Sequence, residues 1–456
     1  MKLALIGGGG VRAVLFTKSL TLKAEQTGIT QLVLQDTDEE QLAIIGKLCR
    51  IVIEQSGIDL RLDTTMDARA ALQGADYIVT TIRVGKEQSR YIDEKIALDR
   101  GLLGQETTGP AGFSMALRTI PVLRNYCELA KEVAPNAWIF NFSNPSGLVT
   151  QALRSYGYDR VIGICDTPSH TKLRIAEALG IDERKLRTEV FGLNHLSWIR
   201  KLMAEGKDLL PELKHDPAFV NAVEELKMFD PDLLRQLPYL PNEYLYYYYH
   251  REKSLANIQQ AAMTRGQMIA LNNQAMLDEL KRMDIDANPQ LALRTYLYYT
   301  QKREASYMAA ETNSEAKEIL PMEELTLPET LGYAGVMLDF VESLQTGREN
   351  NIVLSVPNAG SIDGFADDDV VEVSCTIDRD GAHPIRIGAV PEDMHLLMKS
   401  VKLFERLTVE AVAKKSRSLA VKALSVHPLV NSYSLAKELV DDYLEAYRDT
   451  LGEWNR

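Results

Sequence analysis

The chain has 456 residues, of which 45% are hydrophobic and 25% charged, and its 51 basic and 64 acidic side chains leave a formal net charge of −13. This composition suits a soluble globular protein with a sizeable core and excludes a disordered chain. The acidic balance speaks against a general nucleic-acid binder, and no run approaches the ~18 apolar residues that span a bilayer. The apolar run after Lys2 is too short for a secretory signal and ends in glycines, so the cytoplasm is the expected location. Cys49, Cys127, Cys165 and Cys375 lie far apart with no CxxC, so no disulfide framework is expected.

Short apolar runs at 2–6, 31–35, 76–81, 138–142 and 160–164 read as strands, and a sixth ends at 190–191. Amphipathic patterns at 14–26, 39–55, 115–133 and 171–179 read as the helices between them. Buried strands alternating with helices point to an α/β fold with a doubly wound, mostly parallel sheet. Beyond residue 200 the alternation fades. Helices are expected at 214–237, 256–282 and 289–307, strands at 351–356, 370–377 and 383–387, and long helices at 391–415 and 434–447. The expected organisation is therefore a Rossmann-type domain over 1–195 and a mixed α+β domain over 196–456.

The first strand runs directly into Gly7, Gly8, Gly9 and Gly10. Glycines there let a pyrophosphate approach the start of the next helix. In the G-x-G-x-x-G frame the third glycine is replaced by Arg12. The second strand ends at Asp36, where an acid can accept hydrogen bonds from ribose hydroxyls and disfavours a 2′-phosphate, so NAD is expected over NADP. A tight turn with a surface aspartate is the plain alternative.

Ligands of doubly wound sheets sit outside the carboxyl ends of the strands. The residues there are Arg83, Asn141 and Asn144, Cys165 and Asp166, then Asn194 and His195. A thiolate and an imidazole suit a divalent transition ion with positions left open for substrate oxygens, which makes Cys165 and His195 the candidate metal pair. A core thiol and a core histidine are the competing view. The polar loop 104–112 is placed to wrap a cofactor or substrate, or to serve as a turn before a helix. The tyrosine run at 244–249 is mostly packing, although one phenol beside a cation would serve as a base.

At these residues the sequence resembles glycoside hydrolase family 4, whose members use NAD and a metal. The segments that carry the resemblance are IGGGG at 6–10, RYIDEKIAL at 90–98 and GLLGQETTGPAGF at 101–113. NAWIFNFSNPSG at 136–147, GICDTP at 163–168, FGLNHLSWI at 191–199 and the tail at 401–429 extend it over essentially the whole chain. Such enzymes stand apart from the usual two-carboxylate scheme. The resemblance implies a lactate/malate dehydrogenase-like fold, NAD, Mn²⁺ and a redox elimination. In that scheme NAD⁺ takes hydride from C3 of the sugar, a base removes the C2 proton, the aglycone leaves from C1, water adds, and the hydride returns.

Carried over by motif, Cys165 and His195 match the metal ligands, and Arg90 and Asn144 match substrate contacts. Tyr244 resembles the C2 base, and Arg265 a further substrate-binding arginine. Gly7–Gly10, Asp36 and Arg83 are the expected cofactor contacts. Two positions depart from the pattern. Asp166 follows the metal cysteine and resembles a general acid of the α-specific branch, whereas other segments look closer to 6-phospho-β-glucosidases. Arg12 stands where a hydroxyl-rich stretch near the sugar phosphate is usual, and a guanidinium can itself meet a phosphate bidentately. The expected activity is hydrolysis of 6-phospho-β-glucosides by a homodimer or homotetramer. The alternatives are an α-specific enzyme, an unphosphorylated-glycoside enzyme, a plain hydroxy-acid dehydrogenase and a non-catalytic NAD sensor.

Overall fold

The computed structural model describes residues 1–329 and 331–455. The first part alternates β1 (Lys2–Ile6), α1 (Ala13–Thr27), β2 (Gln31–Gln35), α2 (Glu39–Ser56), β3 (Arg61–Thr65), α3 (Ala68–Leu72) and β4 (Tyr77–Thr80). Then follow α4 (Lys86–Asp99), α5 (Pro110–Val133), β5 (Trp138–Asn141), α6 (Ser146–Ser155), β6 (Val161–Gly163) and α7 (Thr167–Leu179). These six strands are parallel. β3 escapes an apolar-run criterion because RLDTT lies at the sheet edge and buries little more than Leu62. α2 is set by its ends: the Asp38 carboxylate accepts the Gln41 N–H at 3.0 Å, and Gly57 closes the helix in the left-handed region.

The expected sixth strand is longer and belongs elsewhere. β7 (Leu186–Leu193) pairs antiparallel with β8 (Leu196–Ala204), and β9 (Lys207–Asp208) and β10 (Leu240–Pro241) join β8 in a second sheet. The single helix expected over 214–237 is instead broken up: α8 (Leu210–Leu213), α9 (Pro217–Ala222), α10 (Glu224–Lys227) and α11 (Pro231–Gln236). Pro217 and Pro231 cannot continue a helix but start one well, and Asp216 and Asp230 cap them.

After α12 (Tyr246–Tyr249), the pattern over 256–282 divides into α13 (Arg251–Gln260) and α14 (Arg265–Arg282), because Thr264 caps the second helix by accepting the Gln267 N–H at 3.1 Å. α15 (Pro289–Ala305), α16 (Ala309–Thr312) and α17 (Gly335–Thr346) lead to three more strands. β11 (Asn350–Pro357), β12 (Val370–Asp378) and β13 (Gly381–Pro384) pair antiparallel and dock through Ser355 on Gly163 of β6. The chain ends with α18 (Glu392–Lys414), α19 (Arg417–Val426), α20 (Tyr433–Ala446) and α21 (Arg448–Leu451).

The large sheet therefore runs β13-β12-β11-β6-β5-β4-β1-β2-β3. Strand order reverses beside β1, which is where a doubly wound sheet opens a crevice. Residue 195 lies in the β7–β8 turn, and strands from beyond it extend the first sheet. Among the described residues no helix is long and apolar enough to cross a membrane.

One buried polar lock joins α4 and α5 to the C-terminal segment at Tyr447. The Arg118 guanidinium on α5 meets the Asp93 carboxylate on α4 at 2.5 Å, both essentially without solvent. Asp93 also accepts from Ser114 at 2.7 Å and from Tyr447 at 2.7 Å, and Arg118 stacks 3.8 Å from the Tyr447 ring. The pair is satisfied on every side, so the burial of two charges is offset only while both remain. Asp93→Ala would strand the guanidinium at a cost of about 3–5 kcal/mol. Thermal melts followed by circular dichroism should show a clearly lower midpoint, and an unchanged midpoint would make the pair dispensable.

Candidate active site

The glycine turn is shaped by close backbone approach. Gly7 adopts φ 90°, and a Cβ there would lie 2.9 Å from Thr81 backbone. A Cβ on Gly9 would meet the Asp36 carboxylate at 2.9 Å. The Gly9 N–H instead donates to Asp36 Oδ2 at 2.8 Å, which ties the turn to the end of β2. Gly7, Gly10 and Asp36 line a cavity of about 650 Å³, with Arg83 on its wall.

A second cavity of about 180 Å³ adjoins it, and Arg12, Glu106, Phe142, Asn144 and Arg303 line both. Arg12, Arg90, Asn144, Cys165, Asp166, His195, Tyr244 and Arg265 all line this second cavity. These eight candidates thus meet in one place, although they lie as far apart in sequence as Arg12 and Arg265, whereas Arg83 lines only the larger cavity and Asn194 neither. Asn141 does not line the second cavity: its side chain is buried against Thr80 and Thr150 and supports the loop that carries Asn144.

The wall between the cavities is held by charge. Glu106 Oε2 lies 2.7 Å from Arg83 and 2.8 Å from Arg90. Burial opposes its ionisation, but the Arg90 and Arg83 guanidiniums prevail and hold the carboxyl well below its usual range. Arg90 also meets Glu94 at 2.8 Å, and the second oxygen of Glu94 accepts the Gly266 N–H at 2.8 Å. That chain of contacts fixes the start of α14, where Arg265 sits. Among the described residues the Arg303 Nε is buried without a hydrogen-bond partner, and burial together with the Arg12 charge pushes the group down to about 10.

Cys165 follows β6 and His195 occupies the β7–β8 turn at φ 62°, in the left-handed region. The imidazole stacks on the Tyr244 ring with centroids 3.8 Å apart and planes 6° from parallel. Burial pushes the His195 imidazole down to about 4. Burial also drives the Cys165 thiol up, aided by the Glu372 and Asp166 charges, and it drives the Tyr244 phenol up beside Glu243. Asp166 is half exposed, 4.0 Å from Arg12.

Several residues here carry no strand-end or spacing signal. Gln105, Glu106 and Thr107 lie in the polar loop 104–112, whose last residues already belong to α5. Glu372 on β12 accepts from Asn194 at 3.0 Å and Ser197 at 2.9 Å, bracing the turn that holds His195. Its burial pushes it up to about 7. Glu243, also pushed by burial to about 8, accepts from Tyr307 at 2.5 Å. Only the Glu-Thr-Thr run next to glycines was a visible cue to any of these.

Residues 2–181 match the model of family 4 glycosyl hydrolases, and residues 190–430 match the model of the C-terminal domain of that family. A 6-phospho-β-glucosidase of Escherichia coli (strain K12) is 30% identical over 99% of this chain and 98% of its own. A 6-phospho-α-glucosidase of Leptotrichia buccalis is 27% identical over 98% of this chain and 97% of its own. The structure of a Thermotoga maritima 6-phospho-β-glucosidase with NAD and glucose-6-phosphate superposes with a TM-score of 0.83 at 27% identity, covering 98% of each chain. A chain matched along nearly its whole length, with the motif residues gathered around one cavity, belongs to glycosyl hydrolase family 4.

Proposed function

We propose that the chain hydrolyses 6-phospho-β-glucosides with NAD⁺ and a divalent cation, Mn²⁺ by preference. The observation that carries this is the convergence of Cys165, His195 and Tyr244 on a cavity that opens beside the glycine turn. The fit to a dinucleotide rests on the turn itself, where added Cβ atoms would collide, and on a cavity within the ~300–1,000 Å³ of ligand sites. The fit to a cation rests on the donor set. A partly buried thiol, a neutral imidazole and a phenol all have burial opposing their charged forms, and a nearby cation would favour the thiolate and the phenolate.

Bound NAD⁺ would supply the hydride acceptor for C3, and a cation held by Cys165 and His195 would polarise the C2 and C3 oxygens. The residues of the chain do the rest. Tyr244, pinned face to face with His195, takes the C2 proton. Arg90 on α4 and Asn144 in the loop between β5 and α6 hold the sugar hydroxyls. Arg12 and Arg265 receive the 6-phosphate, joined by Arg303, whose unpartnered Nε beside another guanidinium calls for an anion. Gly7, Gly10, Asp36 and Arg83 line the cofactor side, and Gly8 and Gly9 pack the turn against Leu34 and Asp36. Residues 1–195 then act as the NAD-binding body and 196–456 as the substrate-binding and association part.

The β assignment draws support from the names of the E. coli relative and the T. maritima structure. A second reading, α specificity with Asp166 as proton donor to the leaving oxygen, is favoured by that carboxylate lining the sugar cavity and by the L. buccalis relative.

The deciding measurement is release of p-nitrophenol from α- and β-glucoside 6-phosphates and their unphosphorylated forms. The expected outcome is release from the β-phosphate alone, lost when NAD⁺ or Mn²⁺ is omitted. Release from the α-phosphate alone would move the proton-donor role to Asp166 and overturn the β assignment. For Tyr244→Phe, kcat should fall by roughly 10²–10⁴. Deuterium uptake from D₂O at C2 of the product should disappear with it, while NAD⁺ binding persists. Undiminished exchange in Y244F would remove Tyr244 as the base.

A further inference from the structure

A neutral imidazole carries one ring hydrogen, and the nitrogen without it is the one that can bind a metal. Which nitrogen that is follows here from hydrogen-bond accounting. The Gln105 side-chain oxygen accepts the Thr107 N–H at 2.8 Å and the Thr108 N–H at 2.7 Å. Two backbone donors on one atom settle which end of the amide is oxygen. The same oxygen lies 2.9 Å from Thr107 Oγ1, so the threonine hydroxyl must donate to it. A hydroxyl has a single hydrogen. Thr107 Oγ1 is also 2.8 Å from His195 Nδ1, and with its hydrogen already committed it can only accept there. Nδ1 therefore carries the proton, and Nε2 keeps its lone pair.

All three side chains are buried, so water does not compete for these bonds. The ring cannot swing away, because it is stacked on Tyr244 and its backbone is held at φ 62° by the braced turn. We propose that Gln105 and Thr107 are positioning residues that lock His195 in the Nδ1–H tautomer and thereby set the cation affinity of the site. The inference rests on His195 being a metal ligand, so its test separates the two ideas. Neighbours of a metal-bound imidazole that fix its tautomer commonly control affinity in this way.

The direct check uses full-length, NAD⁺-loaded protein labelled with ¹⁵N-histidine and free of metal. The His195 resonances, identified by their loss in His195→Gln, should show a protonated Nδ1 and an unprotonated Nε2. A protonated Nε2 overturns the proposal without recourse to any change in the lock itself. The second check titrates Mn²⁺ and follows the free-ion signal by electron paramagnetic resonance. Thr107→Val, similar in shape but without the hydroxyl, should bind Mn²⁺ ~10–100-fold more weakly. Thr107→Ser, which restores the hydroxyl, should bind as the parent does. Parent-like binding by T107V, or weak binding by T107S equal to that of T107V, overturns the lock. If H195Q also binds Mn²⁺ undiminished, the ligand assignment itself fails. If H195Q loses Mn²⁺ while T107V does not, only the lock fails.

Discussion

The site depends on one shared carboxylate. Arg83 faces the larger cavity and Arg90 the smaller; the Arg90 side chain is buried and that of Arg83 partly so. Two buried cations at close range repel strongly unless an anion lies between them. Glu106 is that anion, and it reaches both arginines with the same oxygen. It can do so because of the loop that carries it. A Cβ on Gly104 would lie 2.5 Å from the Glu94 carbonyl oxygen, so only glycine lets the chain pass there. The same loop then supplies Gln105 and Thr107 to His195. Charge neutralisation between the cavities and the orientation of the imidazole are thus products of a single backbone path.

The sheet supplies the frame for that path. Parallel strands end at one edge, and the reversal of strand order beside β1 leaves space there for a ligand. Four of the parallel strands deliver a polar residue as they leave the core: Asp36 after β2, Arg83 after β4, Asn144 after β5 and Cys165 after β6. Their backbones are fixed by apolar packing behind them, with Phe140, Phe340 and Trp138 meeting edge to face under β5. A site built on strand ends inherits the rigidity of the core, which catalysis by positioning requires.

The second half of the chain closes the site from the other side. β12 carries Glu372 to Asn194 and Ser197, and Asn194 in turn accepts the Gly147 N–H at 3.2 Å. The turn with His195 and the loop with Asn144 are thereby joined through one carboxylate. Tyr244 arrives from the segment after β10, and Arg265 and Arg303 arrive from α14 and α15. The antiparallel strands β11–β13 continue the parallel sheet instead of forming a separate body, so the support for the turn is part of the main core.

The sequence by itself determined the βαβ alternation, the glycine turn, Asp36, and the polar residues at strand ends. Those are local properties: apolar periodicity, glycine after a strand, a polar side chain where burial stops. The family motifs added Arg90, Tyr244 and Arg265, which no periodicity marks. Tertiary structure decided the rest. β3 is polar because it is an edge, the helix expected over 214–237 is broken by prolines and caps, and β7 leaves the sheet to pair with β8. The pairing of Glu106 with Arg83 and Arg90, the bracing of His195 by Glu372 and the hydroxyl of Thr107 at its ring all join residues distant in the chain. Nothing in the local sequence encodes which buried charge will meet which, because that is settled only when the elements pack and every buried polar group must find a partner.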